Sequence, residues 1–231
     1  MSASSILEKD DQEIKDVKEN IKISRGPRQE IELEDVELAK VANMSVYDEN
    51  GNKIRFGDIY KKQKTIIVFT RHFLCFMCKE YVEDLALIPL EYLQAADVRL
   101  VVIGPAPHKF IKSFREATRY NYTLYCDPDR EIYKAFGLSE KLTSGSLKGS
   151  KHIKSGFIMG VLTSTWRAMK VREYQGDVKQ QGGAFILGPG DKLQFSHIDQ
   201  SSTDHIAIND LLHEAGVQPV SFPNDPRVLQ I

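Results

Sequence analysis

The chain is poor in cysteine, with three among 231 residues. An odd and small number argues against a secreted disulfide scaffold and fits a reducing compartment, so a cytoplasmic location is expected. Charge of neither sign is in excess: 31 Lys plus Arg against 32 Asp plus Glu leave a net charge of -1. With no basic stripe either, the electrostatic footprint of a nucleic-acid binder is missing. Long apolar runs are also missing. The longest, at residues 66–69 and 100–103, have the length of strands, so no membrane span is expected. The first 25 residues hold no apolar run, and no signal peptide is read there. There is no internal repeat and only one tryptophan, Trp166. What is there is ordinary for a globular protein, 42% hydrophobic and 27% charged, and is enough for one sizeable core.

Residues 1–40 are dense in charge, with an acidic run through Glu30, Glu32, Glu34, Asp35 and Glu37. Ile14, Val17 and Ile21 have helical spacing that Gly26-Pro27 would end. Such a composition predicts a solvated, disordered tail, with a signalling partner's binding arm as the sharper alternative. A hairpin is predicted over 44–56, turning at Asp48-Glu49-Asn50-Gly51-Asn52. Residues 65–69 predict a core strand. Residues 76–87 predict a helix with Met77, Tyr81, Val82, Leu85 and Ile88 near one face, and Pro89 marks its end or a kink. A second buried strand at 98–103 would pair in parallel with the first through a right-handed crossover, then break at Gly104-Pro105. Phe110, Ile111, Phe114 and Ala117 mark a helix, 122–125 a strand, and 129–136 a short helix closed by Gly137. Residues 139–155 read as a mobile loop whose Lys148, Lys151 and Lys154 are either solvated or an anion contact. Helical signal at 157–169 precedes a hairpin of 184–187 and 193–196 around Gly188-Pro189-Gly190-Asp191. A helix at 206–215, closed by Gly216, leads to a tail at 219–231. The order is α/β, with a central mixed β-sheet covered by helices on both faces, as in the thioredoxin-like fold, over residues 41–218.

Chemistry concentrates where the strand at 65–69 feeds the helix at 76–87. Cys75 and Cys78 form a C-x-x-C there. The thiolate is the reactive form of cysteine, and free N–H groups at a helix start favour negative charge. Arg71, His72 and Lys79 are close in sequence and would add positive charge. Cys78, one turn on, lies on the same side as Cys75. The candidate catalytic set is therefore Cys75 as nucleophile, Cys78 as resolving thiol, Arg71, and His72 as general base or orienting group. Two other readings compete. A structural zinc needs four ligands, and only Cys126 remains. Both thiols could be inert and core-packed. Cys126 reads as a half-buried strand thiol and Thr70 as a strand residue. Gln180-Gln181-Gly182-Gly183 is either a bend or a wall of the thiol site. His197, Asp199, Asp204 and His205 match no ligand spacing and are expected to face solvent beyond the hairpin, so no metal is expected.

The run Arg71-His72-Phe73-Leu74-Cys75-Phe76-Met77-Cys78-Lys79-Glu80-Tyr81-Val82-Glu83-Asp84-Leu85 resembles the peroxiredoxin-like 2 family, in the branch of AhpC/TSA antioxidant enzyme domain-containing proteins. So do Val101-Val102-Ile103-Gly104, Asp127-Pro128-Asp129-Arg130-Glu131-Ile132-Tyr133-Lys134, Gly145-Ser146-Leu147 with His152-Ile153-Lys154-Ser155, and Gln180-Gln181-Gly182-Gly183 through Leu187-Gly188-Pro189-Gly190. The resemblance covers roughly residues 45–220. It implies a thioredoxin-like fold and thiol-based antioxidant chemistry without a cofactor. Cys75 would attack the O–O bond of a peroxide or endoperoxide, Cys78 would close a disulfide, and a thioredoxin-type reductant would restore both. The chain departs from true peroxiredoxins at two positions of P-x-x-x-T-x-x-C: Val68 stands for the proline and His72 for the threonine. It also has Gly182-Gly183 where thioredoxins carry a proline, and only Arg167 and Arg172 are candidates for a distant supporting arginine. A non-catalytic redox sensor or signalling regulator on the same fold is the alternative.

Overall fold

The computed structural model describes residues 37–138, 180–201 and 203–222. Most of the expected N-terminal tail, the 139–155 loop, the helical stretch at 157–169, Arg167, Arg172 and the end of the chain lie outside them. The described elements run α1 (Leu38–Val41), β1 (Ser45–Tyr47), β2 (Lys53–Arg55), α2 (Gly57–Tyr60), β3 (Lys64–Phe69), α3 (Phe76–Leu85), α4 (Leu90–Ala95) and β4 (Val98–Gly104). A 3-10 turn at His108–Phe110 leads into α5 (Ile111–Thr118), then β5 (Thr123–Cys126), α6 (Glu131–Ala135), β6 (Gly183–Leu187), β7 (Leu193–Ile198) and α7 (Ile208–Ala215).

Seven strands form one mixed sheet in the order β2-β1-β5-β4-β3-β6-β7. β3, β4 and β5 are parallel neighbours at its centre, and β6 runs antiparallel to β3. The central strands are continuous apolar runs because both of their faces are covered. Successive side chains alternate between those faces. Ile66, Val68, Leu100, Val102, Ala184 and Ile186 pack with Tyr81, Val82 and Leu85 of α3, Leu93 of α4, Phe114 of α5 and Leu211 and Leu212 of α7. Ile67, Phe69, Val101, Ile103, Phe185 and Leu187 face the other way, against Val41, Ile59, Tyr60, Ile132, Tyr133 and Phe136. An α/β sheet with helices on both faces follows from the residue pattern, as expected.

Both predicted hairpins form, with Val46 opposite Ile54 and Phe185 opposite Ser196. Asp48 closes the first turn by accepting the backbone N–H groups of Asn50 and Asn52 at 2.9 and 2.8 Å. Pro89 does more than end a helix. It is also the N-cap of α4, a helix the sequence reading lacks. Proline suits this place because a helix start has no use for its missing N–H. The last helix starts at Ile208 rather than 206. Beyond it, Val220 and Phe222 are buried in the core, and Asn209 holds Val220 by accepting its N–H at 2.9 Å.

Candidate active site

β3 ends at Phe69, and the next residues turn the chain toward α3. Thr70 continues the sheet for one bond, its N–H donating to the Ile103 carbonyl at 2.9 Å. The Tyr133 hydroxyl lies 2.8 Å from the carbonyls of both Thr70 and Ile103, pinning the end of β3 to the end of β4. Phe73 then folds back into the core and stacks on Phe114 with ring centroids 4.1 Å apart. Gly104 makes room for it, since a Cβ there would lie 2.2 Å from the Phe73 ring. The Cys75 N–H donates to the His72 carbonyl at 3.0 Å and completes the turn.

Cys75 is the N-cap of α3. Its backbone is extended (φ -70, ψ 112), and its Sγ accepts the Cys78 N–H at 3.5 Å. Helices usually put a Ser, Thr, Asp or Asn oxygen in that place. Arg71 donates to the same sulfur from Nη1 at 3.5 Å. The guanidinium is itself held, its Nε donating to the Gln180 carbonyl at 3.1 Å. Both thiols are buried, and all three cysteines are free. These surroundings pull the Cys75 thiol down to about 6: the Cys78 thiol's hydrogen bond contributes most, burial opposes it, and Arg71, the Cys78 N–H and His205 add to the lowering. Cys78 moves the other way. Full burial pushes it well up, and the neighbouring Cys75 charge reinforces this. One sulfur is thus favoured as thiolate and the other as thiol.

The remaining expected site residues divide. His72 adjoins the turn, but burial and then the Arg71 charge lower it to about 4, so its ring is neutral at neutral pH and adds no positive charge. Its Nδ1 is buried without a hydrogen-bond partner among the described residues. The Lys79 ammonium is engaged in an ion pair with Glu83. Cys126 is buried at the end of β5, and its thiol is pushed up by burial. The Gln180–Gly183 stretch does form a wall. Gln180 holds Arg71, and Gly182 passes so close that a Cβ would lie 2.6 Å from the Phe69 carbonyl and 2.7 Å from Asp199 Oδ2.

Of the four polar residues in and after β7, Asp199 and the two histidines are turned inward rather than facing solvent as expected, while Asp204 accepts the Gln200 N–H at an exposed position. Asp199 is buried, and its N–H donates to the Gly182 carbonyl at 3.1 Å. His205 Nδ1 lies 2.8 Å from Asp199 Oδ2, and the His205 ring packs against Tyr81 with centroids 4.8 Å apart. His197 Nε2 reaches Asp199 Oδ1 at 3.5 Å and the Asp204 carbonyl at 2.7 Å. A cavity of about 10 Å³ is lined by Thr70, Cys78, Tyr81, Gly183, Asp199 and His205 among others, so it adjoins both this group and Cys78. Sequence reasoning missed Asp199 and His205 as site residues. Their nearness to Cys78 comes from β6 and β7 pairing alongside β3, which no local spacing announces.

The chain is similar to known proteins in sequence and in fold. The sequence pattern of the AhpC/TSA antioxidant enzyme family matches residues 87–201. Peroxiredoxin-like 2C of Mus musculus is 45% identical over 195 residues, which cover 84% of this chain and 86% of that one. Prostamide/prostaglandin F synthase of Xenopus tropicalis is 26% identical over 184 residues, covering 79% and 89%. The crystal structure of peroxidoxin BcpB from Mycobacterium tuberculosis aligns with a TM-score of 0.53 at 14% identity, covering 76% of this chain and 93% of that one, a likeness of fold.

Proposed function

The chain belongs to the peroxiredoxin-like 2 family of AhpC/TSA antioxidant proteins, and on that footing we propose that it is a thiol oxidoreductase with Cys75 as nucleophile and Cys78 as resolving thiol. The observation that carries this reading is the Cys75 sulfur held at a helix start between the Cys78 N–H and the Arg71 guanidinium, each at 3.5 Å. The Cys75 thiolate attacks one oxygen of an O–O bond. With a hydroperoxide the bond breaks, the sulfur becomes a sulfenic acid, and the other oxygen leaves as alkoxide or hydroxide and takes a proton. With an endoperoxide the sulfur carries the attacked oxygen as a sulfenate ester, and the other oxygen becomes a tethered alcohol. Cys78 then attacks the Cys75 sulfur, forming the disulfide and releasing water from the sulfenic acid or the second alcohol from the ester. A dithiol of the thioredoxin type returns both residues to thiols by exchange. His72 stands beside this site as a neutral ring in the threonine's place. Hydroperoxides and endoperoxides share the bond that reacts. The prostaglandin synthase relative supports including endoperoxides among the substrates tested.

The test is thioredoxin-coupled NADPH consumption with hydrogen peroxide, an alkyl hydroperoxide and an endoperoxide. Cys75→Ser should lose essentially all turnover, and turnover undiminished in that variant rules out Cys75 as the nucleophile. A second reading, a redox sensor without turnover, is favoured by burial, since Cys75 is 6% and Cys78 1% exposed. It predicts a reversible Cys75–Cys78 disulfide with no sustained NADPH consumption. Sustained turnover on any of the three peroxides removes it.

A further inference from the structure

Closing a disulfide takes a proton from the resolving thiol, and Cys78 is badly placed to lose one to solvent. It is wholly buried, and its thiol is pushed well up. An acceptor must therefore stand inside the protein. The cavity beside Cys78 is lined by three other titratable side chains, Tyr81, Asp199 and His205. Tyr81 is a phenol that burial keeps protonated. Asp199 is already occupied, by His205 at 2.8 Å and His197 at 3.5 Å. His205 is different. Its Nδ1 is spent on Asp199, while its Nε2 is buried with no hydrogen-bond partner among the described residues. An imidazole with one nitrogen fixed by a carboxylate and the other unpartnered, lining the same cavity as a thiol, has the form of a general base.

We propose that His205, oriented by Asp199, accepts the Cys78 proton as the disulfide closes. This rests on the reading of Cys75 as nucleophile and Cys78 as resolver. Burial disfavours a charged His205, but Asp199 and, after it, the Cys75 thiolate raise it overall. Once Cys75 is a sulfenic acid the thiolate's part is gone, and the neutral imidazole is easier to reach. His205 Nε2 then takes the Cys78 proton, directly or through one water in a cavity of about 10 Å³. The Cys78 electron pair forms the S–S bond. The Cys75 S–O bond breaks, and the departing hydroxide takes the proton back from His205 and leaves as water. The Cys75 sulfur is reduced and the Cys78 sulfur oxidised, so no outside oxidant or reductant enters this step. His205 acts on the reacting thiol, and Asp199 is a positioning residue that fixes its tautomer. Among the described residues, the charged and titratable groups placed around His205 are Asp199, Tyr81, Arg71, Cys75 and Cys78, with His197 reaching the same Asp199 carboxylate at 3.5 Å.

The experiment follows one turnover of the full-length reduced chain with one equivalent of cumene hydroperoxide. Dimedone traps sulfenic acid, and mass spectrometry counts disulfide over time and across pH. In His205→Gln, sulfenic acid should accumulate, disulfide closure should slow by roughly 100-fold, and the pH inflection of closure should vanish. Asp199→Asn should slow the same step less and move its inflection. The wild-type chain gives a reading free of any folding defect, because closure should be slower in D2O. Closure in His205→Gln at the wild-type rate with an unchanged pH profile overturns the proposal, as does wild-type closure insensitive to D2O. A wild-type chain that forms neither sulfenic acid nor disulfide overturns the reading of Cys75 beneath it, a result separate from fast closure in the variant.

Discussion

Cys75 does at one atom what a helix start and an active site each require. Its sulfur accepts the Cys78 N–H as an N-cap, and the same bond stabilises the thiolate over the thiol. Arg71 adds a full charge at 3.5 Å, while the Gln180 carbonyl keeps its guanidinium in place. Because Cys75 is an acid whose value is lowered, its thiolate fraction rises as pH climbs through about 6 and is nearly complete above neutrality. Arg71→Gln removes that charge. The alkylation midpoint should move up by about one unit or more, slowing alkylation at pH 6 several-fold while the rate at pH 9 stays close to that of the wild type. Iodoacetamide kinetics at Cys75 checks this. The contact of Arg71 with Cys75 was legible from its nearness in sequence. The neutrality of His72 was not, because it comes from burial in the folded chain and then from the Arg71 charge.

At the scale of elements, the site is a meeting of two edges. The β3-to-α3 turn supplies Cys75, Cys78 and Arg71. The backbone before β6 and after β7 supplies Gln180, Gly182, Asp199 and, further on, His205. Gly182 is the point of closest approach. Adding a methyl group would press on a strand carbonyl and on the Asp199 carboxylate, neither of which is the loose end of a flexible side chain. Gly182→Ala should lower stability by about 1–3 kcal/mol, read as a drop in the urea midpoint, and should slow disulfide closure by displacing Asp199. The strands behind both edges could be read locally, from the β-branched run of β3 and from Gly188-Pro189-Gly190 between β6 and β7. The contact between the edges has a sequence separation above one hundred residues, as the bond from Arg71 to Gln180 shows. No periodicity carries that information. α4 escaped the reading for another reason: a single residue, Pro89, both stops one helix and starts the next.

At the scale of the whole molecule, the parallel strands β3, β4 and β5 end side by side at Phe69, Gly104 and Cys126, and the reactive turn leaves from the first of them. Open α/β sheets place their chemistry at these carboxyl ends, where loops diverge and helix starts converge. The alternation of Ile66, Ile67, Val68 and Phe69 between the two cores makes that end rigid from both sides. A rigid frame is what lets two buried thiols in one turn hold opposite preferences, Cys75 as thiolate and Cys78 as thiol. The account turns on that contrast. Its most direct test is the pH dependence of alkylation at each of the three cysteines in the reduced, folded chain, resolved by peptide mapping. Cys75 should react first, with a midpoint near 6, well below the reference of about 8.5 for a free cysteine, while Cys78 and Cys126 stay largely unmodified. A Cys75 midpoint at or above the free-cysteine value, or equal slow modification of all three thiols, would contradict it.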